Sequence, residues 1–278
     1  MNALIFIDTN IFLDFYRIRN SEVSMSYLKI INEHHDSIIT GSQVEMEYKK
    51  NRQSVIVESQ GKFKNPDWNN LSVPALLSEE SETLRLQELR KEVASQQAAI
   101  KNKIDKILSS PVENDPVYKS LESLFRNSSA NNLSREHTER QKIRELAIKR
   151  FMLGYPPRKK NDTSIGDAIN WEWIINCARK SSKNILIVSR DGDYGVNLRS
   201  GSFINDWLSQ EFKQRTSEKL EIILTTRLSE AFKRLNVAVT KDMIDEETRV
   251  LDEYDTAELE DTEDNVTNKI FDILKRYK

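Results

Sequence analysis

Cys177 is the only cysteine among 278 residues, so no internal disulfide can form, and a reducing compartment is the expected setting. The three histidines, His34, His35 and His137, show no metal-ligand spacing and read as surface residues. Glycine is scarce, at seven residues, and none builds a Gly-rich phosphate loop; a Ser-His-Asp signature is also missing. No segment approaches the roughly 20 apolar residues that a membrane span requires. The opening apolar run is too short for a signal peptide and has no basic flank. A cytoplasmic protein without membrane association is the expectation. An excess of one charge is lacking too: 42 basic and 44 acidic residues give a net charge of −2, so any basic surface for a nucleic-acid partner must be local.

What is present is a low hydrophobic content of 38% and a high charged content of 31%, which implies a folded part plus long solvated helices or tails. Residues 3–7 (ALIFI) are apolar without alternation, as in a strand buried on both faces. Helical spacing follows in Ile11, Phe12, Phe15 and Tyr16, and again from Ser24 to about His34. Asp36–Thr40 reads as a second strand, followed by a helix that opens at Ser42 and carries Glu45 and Glu47. The pattern resumes at Gly166 with a helix to about Arg179, a strand at 184–189, a helix at about 203–216, a strand at 220–224 and a helix at 229–235. This alternation predicts an α/β fold with a mostly parallel central sheet flanked by helices.

Between 61 and 158 only helices are expected: one at 78–108 with a Leu/Ile stripe, then about 117–126 and 134–152. The chain thus reads as one α/β domain over 1–240 with a large helical insertion at about 61–158. Residues 241–278 read as an acidic linker and a short terminal helix, because Asp252–Asp264 holds eight acids and no Lys or Arg.

Carboxylates stand at strand–helix junctions. Asp8 ends the first strand, Glu47 lies on the helix after the second, Asp167 starts a later helix and Asp191 ends the strongest strand, with Asp193 close behind. Parallel strands share one carboxyl edge, where such sheets place ligands. Acids gathered there repel unless cations neutralise them, and all-oxygen ligands suit Mg²⁺ or Mn²⁺. Thr9, Asn10 and Ser189 are placed to orient the acids. Lys49, Lys50, Arg52 and the run Arg158-Lys159-Lys160 are candidate phosphate contacts.

Four segments together resemble the successive motifs of PIN-domain nucleases: IFIDTN at 5–10, QVEMEY at 43–48 leading to Asn51-Arg52, GDAINW at 166–171 and SRDGDY at 189–194. They are closest to a bacterial PIN-like subgroup with a helical insertion. The resemblance covers roughly 1–60 and 160–235. It implies a metal-dependent endoribonuclease that uses Mg²⁺ or Mn²⁺ held by Asp8, Glu47, Asp167 and Asp191, with Asp193 accessory. Many relatives are toxins, RNA-processing enzymes or defence components.

Plainer readings compete. Asp8 suits a helix cap, Asp167 gains from the helix dipole, Asp193 suits turn chemistry, and Glu45 competes with Glu47 unless it serves a capping box. The basic runs equally suit a solvated face. Trp171, Trp173 and Cys177 read as packing. A haloacid-dehalogenase-like phosphatase requires an acid where Asn10 stands and another at Trp171. An inactive PIN-like scaffold that binds a protein partner, or a homo-oligomer formed through the insertion or tail, is the reading from another class. The tail itself is either a solvating segment or a competitor of RNA for the basic surface.

Overall fold

The structure, a computed structural model, describes residues 1–61, 73–157, 164–198, 200–254 and 256. The elements run β1 (Ala3–Ile7), α1 (Thr9–Asp14), α2 (Ser21–Glu33), β2 (Ile38–Gly41), α3 (Ser42–Gly61), α4 (Ser81–Ser109), α5 (Pro111–Asn114) and α6 (Pro116–Phe125). There follow β3 (Asn132–Leu133), α7 (Arg140–Met152), α8 (Gly166–Ser181), β4 (Asn184–Val188), β5 (Gly195–Leu198) and β6 (Gly201–Ile204). The described part closes with α9 (Asp206–Arg215), β7 (Ile222–Thr225), α10 (Leu228–Arg234) and a helix over residues 241–254, here α11.

Five strands form one parallel sheet in the order β3-β2-β1-β4-β7, flanked by helices as the alternation predicts. Every residue of β1 is buried, which explains its unbroken apolar run: a central strand covered on both faces has no solvent side on which to place polar residues. Each such Ile, Leu or Phe contributes about 1.5–3 kcal/mol by burial. In register, Ile7 lies opposite Val188, and the Asp8 amide donates to the Val188 carbonyl at 3.0 Å. The first residues beyond β1 and β4 are therefore level on the carboxyl edge. No helix among the described residues is long and apolar enough to cross a membrane.

Three expectations are corrected. The stretch 61–158 is not purely helical: β3 pairs with β2 as an edge strand, too short at two residues to leave a pattern in the sequence. A helix expected from Phe203 begins at Asp206, because 195–204 forms the β5–β6 hairpin. Gly195 permits that hairpin, since a Cβ there would stand 2.0 Å from the Phe203 carbonyl oxygen. Third, the linker expected from 241 is a docked helix: in α11, Met243 and Val250 are buried and Glu247 is 5% exposed.

Helices of the expected insertion join the core. Leu121 and Leu124 of α6 are fully buried, as are Ile143 and Ala147 of α7, and these helices pack on α2 and α8 respectively. By contrast α4 buries only Thr83, and its Leu84, Leu89 and Ile100 are exposed. Trp171, Trp173 and Cys177 are buried in the core. The acidic run beyond 256 and the terminal helix expected there lie outside the described residues.

Candidate functional site

Asp8 is the N-cap of α1, its Oδ1 accepting the Thr9 amide at 2.7 Å, so the capping reading holds locally. Its other oxygen, Oδ2, accepts from Ser189 Oγ at 2.5 Å and from Asn10 Nδ2 at 3.2 Å. Thr9, Asn10 and Ser189 thus all attend the acids. Ser189 is fully buried and Asp8 is 6% exposed. Burial, followed by the neighbouring Asp191 carboxylate, pushes the Asp8 carboxyl up to about 7; Ser189 and the Thr9 amide pull the other way, and Glu47 adds to the rise. Burial and the neighbouring negative charge both disfavour the ionised form, and a cation beside it would favour it.

Glu47 faces the same point from the second turn of α3. Its Oε2 accepts from Thr9 Oγ1 at 3.1 Å and its Oε1 from Gln43 Nε2 at 2.6 Å. Glu45 is directed elsewhere, accepting from Lys49 Nζ at 2.7 Å, so the structure separates the two glutamates, though by an ion pair rather than by a capping box.

α8 starts against Glu47. A Cβ on Gly166 would come 2.3 Å from Glu47 Oε1 and 2.7 Å from Gln43 Nε2, so any side chain there would displace the Glu47 carboxylate and the Gln43 amide, whereas glycine leaves both in place. Asp167 is then carried on the first turn, where the helix dipole favours negative charge. Asp191 follows β4 one residue beyond Arg190, and its amide donates to Ser189 Oγ at 3.1 Å. One hydroxyl therefore links Asp8 to the Asp191 turn.

Tyr194 completes the cluster. It is fully buried and its Oη has no hydrogen-bond partner among the described residues. Burial, then Asp167, Asp8, Glu47 and Asp193 in that order, raises its pKa well above the ordinary value. Asp8, Glu47, Asp167 and the accessory Asp193 therefore lie within electrostatic reach of one phenol. Gln43 and Tyr194 are residues that sequence reasoning does not single out. The four-residue spacing of Gln43 and Glu47 on one helix face is the signal that identifies Gln43; Tyr194 reads in sequence as an ordinary core aromatic.

The basic residues expected at the site divide differently. Arg52 is 3% exposed and pairs with Asp115, from Nη2 at 2.6 Å and from Nε at 2.9 Å. Its Nη2 also donates to the Ile107 carbonyl at 2.7 Å. It is an internal strut between α3 and the α4–α6 junction, which corrects its assignment as a phosphate contact. Lys49 keeps about a third of its side chain exposed, 35%, while it pairs with Glu45 and, at 3.7 Å, with Glu122. Arg158, Lys159 and Lys160 lie outside the described residues.

The chemistry of this cluster fits a hard divalent cation. The donors are oxygens and anionic, neither Asp8 nor Glu47 forms an ion pair among the described residues, and Asn10 Oδ1 is buried there without a partner. Among the described residues no three acids are gathered closely enough to hold one ion by direct contact alone. The family model for the PIN domain matches residues 5–194, a span that contains Asp8, Glu47, Asp167, Asp191 and Asp193. No curated protein and no solved structure matches the chain.

Proposed function

The chain belongs to the PIN-domain family, whose members are generally nucleases, and from that premise we propose that it is a metal-dependent endoribonuclease. The observation that carries this reading is Asp8: a buried carboxylate at the sheet edge, oriented by three donors and faced by Asp191 and Glu47, with no cationic side chain paired to it among the described residues. Asp8, Glu47, Asp167 and Asp191 would hold Mg²⁺ or Mn²⁺, with Asp193 accessory. When bound, the cation neutralises the carboxylates, polarises the phosphodiester and raises the acidity of water.

The chain's own residues supply orientation. Ser189 and Asn10 fix Asp8 Oδ2 by donating to it, and the Thr9 amide holds Oδ1. Thr9 and Gln43 hold one oxygen each of Glu47. These bonds fix the orientation of both carboxylates, so the donor set is preorganised before substrate arrives.

The test is incubation of the purified protein and its Asp8→Asn variant with structured and single-stranded RNA plus Mn²⁺. Cleavage by the wild type alone is expected; cleavage surviving the substitution, or absent from both, counts against the mechanism. Because many proteins with these motifs are toxins or defence components, the biological role we infer is of that kind. Expression of the wild type, but not of Asp8→Asn, should then arrest bacterial growth. The exposed Leu84, Leu89 and Ile100 of α4 support a second reading, a protein-partner or homo-oligomer surface that operates whether or not the domain cuts.

A further inference from the structure

Arg190 stands between Ser189, which bonds Asp8, and Asp191, yet its guanidinium does not join the carboxylates. It turns away into an ion pair with Asp14 and lies over the Tyr254 ring, 5.1 Å from its centroid. Tyr254 belongs to α11. Its hydroxyl donates to Asp14 Oδ1 at 2.8 Å and accepts from Arg17 Nη1 at 2.8 Å. The side chains of Arg190 and Asp14 are only 10% and 4% exposed, so this is an enclosed unit.

α11 has further fastenings besides Tyr254, and one of them, Glu247, also lies within electrostatic reach of Arg190. Glu247 accepts from the Ser229 amide at 3.2 Å and from its hydroxyl, at the start of α10. Tyr27 donates to the Met243 carbonyl at 3.1 Å, Arg249 to the Arg17 carbonyl at 2.8 Å, and Arg227 to Thr248 at 2.7 Å.

We propose that Tyr254 and Asp14 are positioning residues for the acid site: by clamping Arg190 they fix the turn that presents Asp191 and keep the guanidinium off the carboxylates. Consecutive Cα atoms are locked about 3.8 Å apart, so restraining Arg190 restrains Asp191, which otherwise precedes a flexible Gly192. A guanidinium released beside the cluster would form charge-assisted bonds with the acids and compete with a cation for them. Ring and hydroxyl act together, the ring stacking on the guanidinium and the hydroxyl steering Asp14 toward it. The C-terminal helix thereby becomes part of the machinery rather than a tether.

This inference rests on the metal-dependent reading, and its test separates the two. Mn²⁺ binding by isothermal titration and hydrogen exchange at the Asp191 amide are measured on wild type, Tyr254→Ala, Tyr254→Phe and Arg19→Ala. Arg19→Ala is the control: it removes the exposed pair with Glu253 on α11, which does not touch Arg190. Tyr254→Ala should weaken Mn²⁺ binding about tenfold, as loss of a group supporting a metal ligand commonly does, and speed exchange at Asp191. Tyr254→Phe should fall between, and Arg19→Ala should match the wild type in both. A Tyr254→Ala protein with wild-type exchange at Asp191 and wild-type Mn²⁺ affinity overturns the clamp, whatever happens to its melting temperature. A wild type that binds no Mn²⁺ overturns the metal reading instead, and the exchange rates still decide whether the clamp exists.

Discussion

Asp8 shows how one side chain serves fold and site at once. It caps α1, as an Asp at that position is expected to do, and it also collects Ser189 and Asn10 on its second oxygen. The acid binds its proton more tightly folded than unfolded, with a value of about 7 against an ordinary 3.8. The fold therefore loses stability as pH rises from about 4 to about 7, by on the order of 4 kcal/mol once fully ionised. Without divalent ions, the melting temperature should fall across that window, and Asp8→Asn should flatten the fall. Mn²⁺ should raise the melting temperature more at pH 8 than at pH 5, because it competes with the proton for the same oxygens. Gln43 supplies a second residue-scale prediction. Gln43→Ala leaves Glu47 Oε1 without its 2.6 Å donor and should lower RNA cleavage about 10–100-fold, with little change in thermal stability. Asp8, Asp167 and Asp191 stand out in sequence because each follows a strand or opens a helix, whereas Glu47, in the second turn of α3, is singled out by the QVEMEY motif. Tyr194 is not, because a buried aromatic looks the same in sequence whether it faces a core or a carboxylate cluster.

Elements differ in how openly they are written. β1 and β4 are unbroken apolar runs and are found by that alone, since a strand covered on both faces needs no alternation. β3 has two residues and is defined by its partner β2, so no local pattern exists to read. The β5–β6 hairpin exposes Val196, Leu198 and Phe203, which erases the alternation that marks a half-buried strand. α11 lay hidden because its charged residues look solvated in sequence, whereas several form bonds to the body of the domain. Arg52 carries the sharpest lesson at this scale. A cation following an acidic motif suggests phosphate binding, but its guanidinium is buried and its partner Asp115 also accepts the Tyr118 amide at the start of α6. Arg52→Ala leaves that carboxylate buried without its cation and should destabilise the fold by about 3–5 kcal/mol. Denaturant unfolding measures this. RNA affinity of the folded fraction should be unchanged, and a selective loss of RNA binding without loss of stability would restore Arg52 to the interface.

Taken whole, the molecule is a parallel sheet whose carboxyl edge gathers acids from β1, α3, α8 and the turn after β4, with helices from the middle and the C-terminal part of the chain closing around it. Net charge conceals this arrangement: −2 overall is compatible with a locally intense negative site because cations such as Arg52, Arg150 and Arg190 are consumed in internal pairs. A cation held at this edge, with Asp8 among its ligands, would be directly visible by diffraction. The most direct measurement is anomalous diffraction from crystals grown with Mn²⁺, collected for the wild type and for Asp8→Asn. A manganese peak bordered by Asp8 and Asp191 is expected in the wild type, weakened or lost in the variant. A wild-type crystal with no manganese at this edge, or with an undiminished peak in Asp8→Asn, would contradict the metal reading.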